Sequence, residues 1–196
     1  MIEINKNQEI NVSLKIKTLV VDPEELDGID EEIVSILERI IEDDLSCMEE
    51  LEAVLGDQAR EEMELCTEAV LRINADGCVE IEYLENEDDE QMRAISRIIF
   101  HPQSPALVSM TKEGAVRTFL SFEEGKTHIC TYDTPFMPLK IYVESRAVDN
   151  RLLECGSLHL NYVLNFQNDT PRHFVVDIDM KETANGELYG ISAIKE

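Results

Sequence analysis

From residue 63 to residue 181 the chain alternates apolar and polar residues almost without pause, and short turns interrupt the alternation at regular intervals. A period of two belongs to strands that bury one face, so this stretch is suited to a sheet rather than to helices. Met63, Leu65, Thr67, Ala69, Leu71 and Ile73 share one face, opposite Glu62, Glu64, Cys66, Glu68, Val70 and Arg72. Asn74-Ala75-Asp76-Gly77 then supplies a hairpin turn, after which Val79, Ile81 and Tyr83 return. Further strands are expected at 93–100, 107–111, 116–122, 127–132, 139–148, 157–166 and 174–181. An earlier one carries Ile10, Val12, Leu14 and Ile16. Ten strands on tight turns describe an antiparallel meander. That many twisted strands tend to curl, and closing the sheet removes its exposed edges. The expected fold is therefore mainly β, an antiparallel up-and-down barrel, with a two-sheet sandwich as the alternative.

One stretch breaks the pattern. Asp22-Pro23-Glu24-Glu25 reads as a helix start, with Asp as N-cap and Pro at the first helical position. Beyond it Ile33, Ile36, Leu37, Ile40, Ile41, Leu45, Met48, Leu51 and Leu55 recur at helical spacing until Gly56. The expectation is an acidic α-helical insertion over 22–60, placed after the first strand of a single 1–196 domain. Its apolar stripe is too short to own a core and must pack on something. A lid over a barrel mouth, a contact in a homodimer and a docking surface all remain open.

Charge narrows the partners. The chain carries 17 Lys and Arg against 42 Asp and Glu, a net of −25. Between Asp22 and Glu64, 18 acids face only Arg39 and Arg60. Nucleic acids and anionic membranes are bound mainly through Lys and Arg, so neither is an expected partner. A solvated helix face and a docking surface for a basic protein both fit the acidic stretch, with Glu49, Glu50 and Glu52 as its candidate contacts. The first residues hold Glu3, Lys6 and Glu9 and no apolar run typical of a signal peptide. Five scattered cysteines, with no C-x-x-C, fit reduced thiols better than disulfides or zinc ligands. A cytoplasmic protein is expected.

Gly114-Ala115-Val116, Phe122-Glu123-Glu124-Gly125-Lys126, Tyr132-Asp133-Thr134-Pro135-Phe136 and Gly156-Ser157-Leu158-His159-Leu160-Asn161-Tyr162 form a recognisable set. With them the chain resembles a bacterial family of unknown function typified by YwiB, over about residues 62 to 182 plus the first strand. The resemblance implies a small calycin-type, lipocalin-like barrel and brings no assigned reaction. Two positions depart from it. Met137 and Ala69 stand where the family tends to have glycine. Lys112 falls where an arginine is common, and the acidic segment is an insertion relative to shorter members.

No catalytic constellation emerges. There is no G-x-S-x-G elbow, no H-E-x-x-H pair and no Walker loop. His128 and His159 each lie on the strand face opposite their apolar neighbours, where a general base is conceivable but an ordinary hydrogen-bonded histidine is commoner. Asp177 and Asp179 read as the wet side of a strand whose dry side is Phe174, Val176, Ile178 and Met180. The acidic 22–33 stretch fails the EF-hand test, because Leu26, Asp27 and Ile33 occupy positions 5, 6 and 12. No metal, cofactor or catalytic residue is therefore expected.

The ligand argument rests on tyrosines. Tyr83, Tyr132 and Tyr162 each close or interrupt a run of same-face apolar residues, and Thr67 shares the inward parity of its strand. If these faces line a barrel, their hydroxyls can orient a small apolar ligand with one polar end. An interior filled by side chains is the competing outcome. The expected function is thus a non-catalytic binder of such a ligand. The alternative is an interaction module that uses the acidic insertion around a filled barrel.

Overall fold

The computed structural model describes residues 9–21, 60–166 and 171–183. They form ten strands: β1 (Glu9–Val21), β2 (Arg60–Ile73), β3 (Val79–Glu85), β4 (Ala94–His101), β5 (Ser104–Glu113), β6 (Arg117–Glu123), β7 (Thr127–Asp133), β8 (Pro138–Arg151), β9 (Ser157–Phe166) and β10 (Arg172–Glu182). Each strand from β2 to β10 pairs antiparallel with its sequence neighbours, and β1 lies between β2 and β10. The result is a closed barrel. The expected meander forms, and its unbroken ladder excludes the sandwich. Among the described residues there is no helix. The helical insertion expected over 22–60, with Glu49, Glu50 and Glu52, lies outside the described residues except at its last position: Arg60 begins β2.

Alternation places the core. Val12, Leu71, Val79, Ile81, Ile98, Val108, Phe122, Ile141, Val143 and Leu160 point inward and are fully buried. Burying a side chain of this size contributes about 1.5–3 kcal/mol, so this shared lumen dominates the favourable side of folding. Asp177 and Asp179 stay exposed beside buried Val176, Ile178 and Met180, as the β10 alternation predicts. At the expected hairpin, Gly77 adopts φ +92° and donates to the Asn74 carbonyl at 2.9 Å. Ala69 and Met137, at the two departures from the family pattern, have no left-handed backbone.

One block departs from simple alternation. On β1 both faces are buried from Leu19 to Val21, on β10 at Val175 and Val176, and on β9 from Leu160 to Leu164. His173 lies at the edge of this block, paired in register with Val21 and Val163. Burial, and secondarily the Arg146 cation, hold its imidazole below the usual histidine value, while Glu144 opposes them weakly. The folded state therefore binds a proton at His173 less readily than the unfolded chain. Its contribution to stability is complete above about pH 6.5 and is lost as pH falls below that value. Urea unfolding at pH 7.5 and pH 5 should show a smaller acid-side loss of midpoint in His173→Phe than in the wild type.

Gly156 makes the tightest backbone approach. It sits at φ +81°, accepts the Met180 N–H at 2.7 Å, and leaves an added Cβ only 2.3 Å from the Met180 carbonyl oxygen. Gly125 is also left-handed, at φ +70°, but has open space around it. Gly125→Ala should cost about 1 kcal/mol, the ordinary penalty of that conformation. Gly156→Ala should cost about 3 kcal/mol or more, because backbone must move as well. Urea denaturation of the two variants measures the difference.

Candidate functional site

A register row crosses the inside of the barrel through seven ladders. It runs Val12, Ala69, Tyr83, Ser96, Lys112, Thr118, Tyr132 and Leu139, each directly opposite the next. Partners directly opposite share a face, and Val12, Ala69, Tyr83 and Ser96 are buried, so the row lines the lumen. Five consecutive members carry polar groups. The adjacent inward row is apolar throughout: Ile10, Leu71, Ile81, Ile98, Met110 and Leu120. On the other side of the polar row lie Thr67 and Glu85, the latter paired with Ala94. The interior is thus divided, apolar in one layer and polar in the next.

Glu85 is the hub of the polar layer. It accepts the Ser96 hydroxyl at 2.6 Å and the Lys112 ammonium at 2.5 Å. Tyr83 is the direct register partner of Ser96, and Ser96 and Glu85 both act on its phenol. Burial, then the Glu85 charge, push the Tyr83 phenol well above its usual pKa and keep it a neutral donor. Ser96 and Tyr83 are buried, whereas the Lys112 side chain is 38% exposed and Glu85 22%. The cluster therefore runs from the packed interior to a solvent-reached rim. An ammonium has three donors, and Glu85 takes one. The other two have no acceptor among the described residues.

The four ligand candidates divide. Thr67 donates to the Leu84 carbonyl at 3.4 Å, beside the hub, and Tyr83 belongs to the hub itself. Tyr132 stands at the partly open end of the row, edge-on to Phe166 with centroids 5.6 Å apart. Tyr162 is deeper, stacked on Phe174 at 5.1 Å and tilted against Phe122 at 4.8 Å. Burial alone drives its phenol pKa far upward. It belongs to an aromatic plug that joins β6, β9 and β10 across the lumen.

Residue-by-residue reading of the sequence missed Ser96, Glu85 and Thr118, and took Lys112 only as a family position. A signal existed. Each holds an inward-parity position in its strand: Ser96 between Ala94 and Ile98, Glu85 two beyond Tyr83, Lys112 two beyond Met110. The histidines are elsewhere. His159 is on the outer wall, with Nδ1 2.8 Å from Asp177. His128 faces inward on β7, 3.7 Å from the Glu123 carboxylate. Among the described residues no three His, Cys, Asp or Glu side chains converge as metal ligands.

Tyr162→Ala should lower stability by about 3–5 kcal/mol, because it empties the centre of the aromatic plug. Ser96→Ala should cost about 1.5–3 kcal/mol, the range for a hydrogen bond to a charged group. Tyr132→Phe should change stability by less than about 0.5 kcal/mol at its half-open position. Denaturant titration of the three variants ranks them.

The sequence pattern of a domain of unknown function (DUF1934) matches residues 51–178. Among solved structures, the ywiB protein from Bacillus subtilis aligns with a TM-score of 0.50 at 15% identity. The alignment covers 87% of this chain and 92% of that one. At that identity the likeness speaks to fold alone. No curated protein matches the chain. The family match spans β2 to β9 and most of β10, including every residue of the Glu85 hub. The chain belongs to the DUF1934 family, the kinship that its turn and strand-end motifs suggest.

Proposed function

We propose that the protein is a non-catalytic binder of a small, partly apolar ligand, held inside a calycin-like barrel. The observation that carries this reading is the layered interior: an inward row of polar side chains, open at Lys112 and Tyr132, lies against a wholly apolar row. The ligand's apolar part would lie along Met110 and Leu120, which are only partly buried. Its polar end would take the remaining Lys112 donors, with Thr67, Tyr83 and Tyr132 around it. Because Glu85 already balances Lys112, the site suits a singly anionic or strongly hydrogen-bond-accepting group rather than a polyanion. Cys66, Cys78, Cys130 and Cys155 are free thiols, which supports a reducing, cytoplasmic setting.

The charge distribution favours a second reading, in which an acidic helical insertion docks a basic protein and the barrel core is filled. Binding to such a partner would be strongly salt-dependent and would be lost on neutralising Glu49, Glu50 and Glu52.

Native mass spectrometry of gently purified protein, followed by titration with 1-anilinonaphthalene-8-sulfonate, tests the first reading. A reproducible adduct released on denaturation is expected. Lys112→Met should weaken binding of the probe about tenfold or more, as loss of a charge-assisted hydrogen bond implies, at a temperature where denaturant titration shows the variant still folded. A clean apo mass together with probe affinity indifferent to Lys112 would overturn it.

A further inference from the structure

A barrel wall in contact with water on its outside should show polar, exposed side chains at every outward position. Over most of its circumference the outward side chains are at least partly exposed, apolar Phe119, Ile129 and Tyr142 included, but in one contiguous block they are buried. Leu19, Val175 and Asn161 form one outward register row, and Val21, His173 and Val163 form the next. Leu19, Val175 and Val163 are each only 7% exposed, Val21 2% and Asn161 1%. Just along the same strands the outward residues Lys17 and Asp177 are exposed. Among the described residues no element lies outside the barrel. The block is a sheet face that something covers.

We propose that this outer face of β1, β10 and β9 seats the apolar stripe of the chain's own 22–59 segment, in the same molecule. Place and length single out that occupant. Val21 and Arg60 are register partners, so both ends of the segment leave the barrel at the block itself. Residues 1–8 and 184–196 attach at the other end of these strands, where Val12 pairs with Glu182 and Glu9 with Arg72. The link between β9 and β10, Gln167-Asn168-Asp169-Thr170, is short and polar and has no apolar side chain to offer. The segment, by contrast, carries Ile33, Ile36, Leu37, Ile40 and Ile41 on one helical stripe. Three adjacent strands are about 10 Å across, close to the diameter of one helix. Seating the stripe turns the acids of the segment to the outside. The inference rests on the outer wall and on the stripe, and stands apart from any ligand in the lumen.

Hydrogen exchange read by mass spectrometry on the full chain tests it, using Val175→Asp on the wall and the pair Ile36→Asp/Ile40→Asp on the segment. In the wild type, amides over 33–41 should be protected. In both variants they should exchange at least tenfold faster, while β3 to β6 keep their protection. The segment variant leaves the wall sequence intact, so it decides the matter even if Val175→Asp fails to fold. In that variant the His173 titration, followed by NMR, should move up toward 6.5 as the wall is uncovered. Three results would each overturn the proposal. The wild-type segment could exchange like a free peptide, the segment variant could leave both readouts unchanged, or protection could vanish on dilution with loss of a dimer, which would make a second copy the occupant.

Discussion

Everything in this molecule depends on β1 having two partners. From Val12 to Val21 it pairs with β10, and over its whole length it pairs with β2. Without it the nine remaining strands would form an open sheet with two long unpaired edges, each a row of unsatisfied N–H and C=O groups and a template for association. Ten is an even number, so an in-order meander can close with every pair antiparallel. The closing contacts join residues near the start of the chain to residues near its end. Loop-closure entropy resists them, while the hairpins from β2 to β10 are local.

Closure also explains how a charged cluster is tolerated inside. A carboxylate taken partly out of water is costly unless its lone pairs are bonded. Glu85 meets that condition through Ser96 and Lys112, neither of which lies on its own strand. The three strands involved are held at fixed spacing by their own ladders, and closure makes the face that carries the cluster an interior one. Across the lumen the Phe122, Tyr162 and Phe174 rings give the apolar part a rigid packed centre, so the polar layer faces one side of a filled plug and one side of open rim.

The strands could be read with little more than parity. Ile10, Val12, Leu14 and Ile16 announce β1, and the alternations around Leu71, Ile81, Ile98 and Ile178 announce their own strands, because burial of one face is a local pattern. The turn at Asn74–Gly77 was equally plain, since its glycine takes a backbone region that other residues avoid. The site was legible only in pieces. Thr67, Tyr83 and Tyr132 drew attention as hydroxyl-bearing residues of inward parity. Ser96, Glu85 and Lys112 share that inward parity, but nothing in a single strand says which residue of the neighbour will stand opposite, so the cluster they form is not written in any one of them. Paired apolar residues such as Val20-Val21 and Val175-Val176 carried a faint sign of burial on both faces.

What the sequence determined by itself, then, is the set of strands, their inner and outer faces and the acidic character of the chain. These follow from periodicity and composition, which act over a few residues at a time or over the whole chain at once. Only the tertiary structure decided that one register row gathers Tyr83, Ser96, Lys112, Thr118 and Tyr132, and that the outer wall at Leu19, Val21, Val163 and Val175 is shielded from water. Register and second-layer packing depend on every ladder around the barrel closing together, and a shift of one residue in any of them would turn that strand's side chains to the other face.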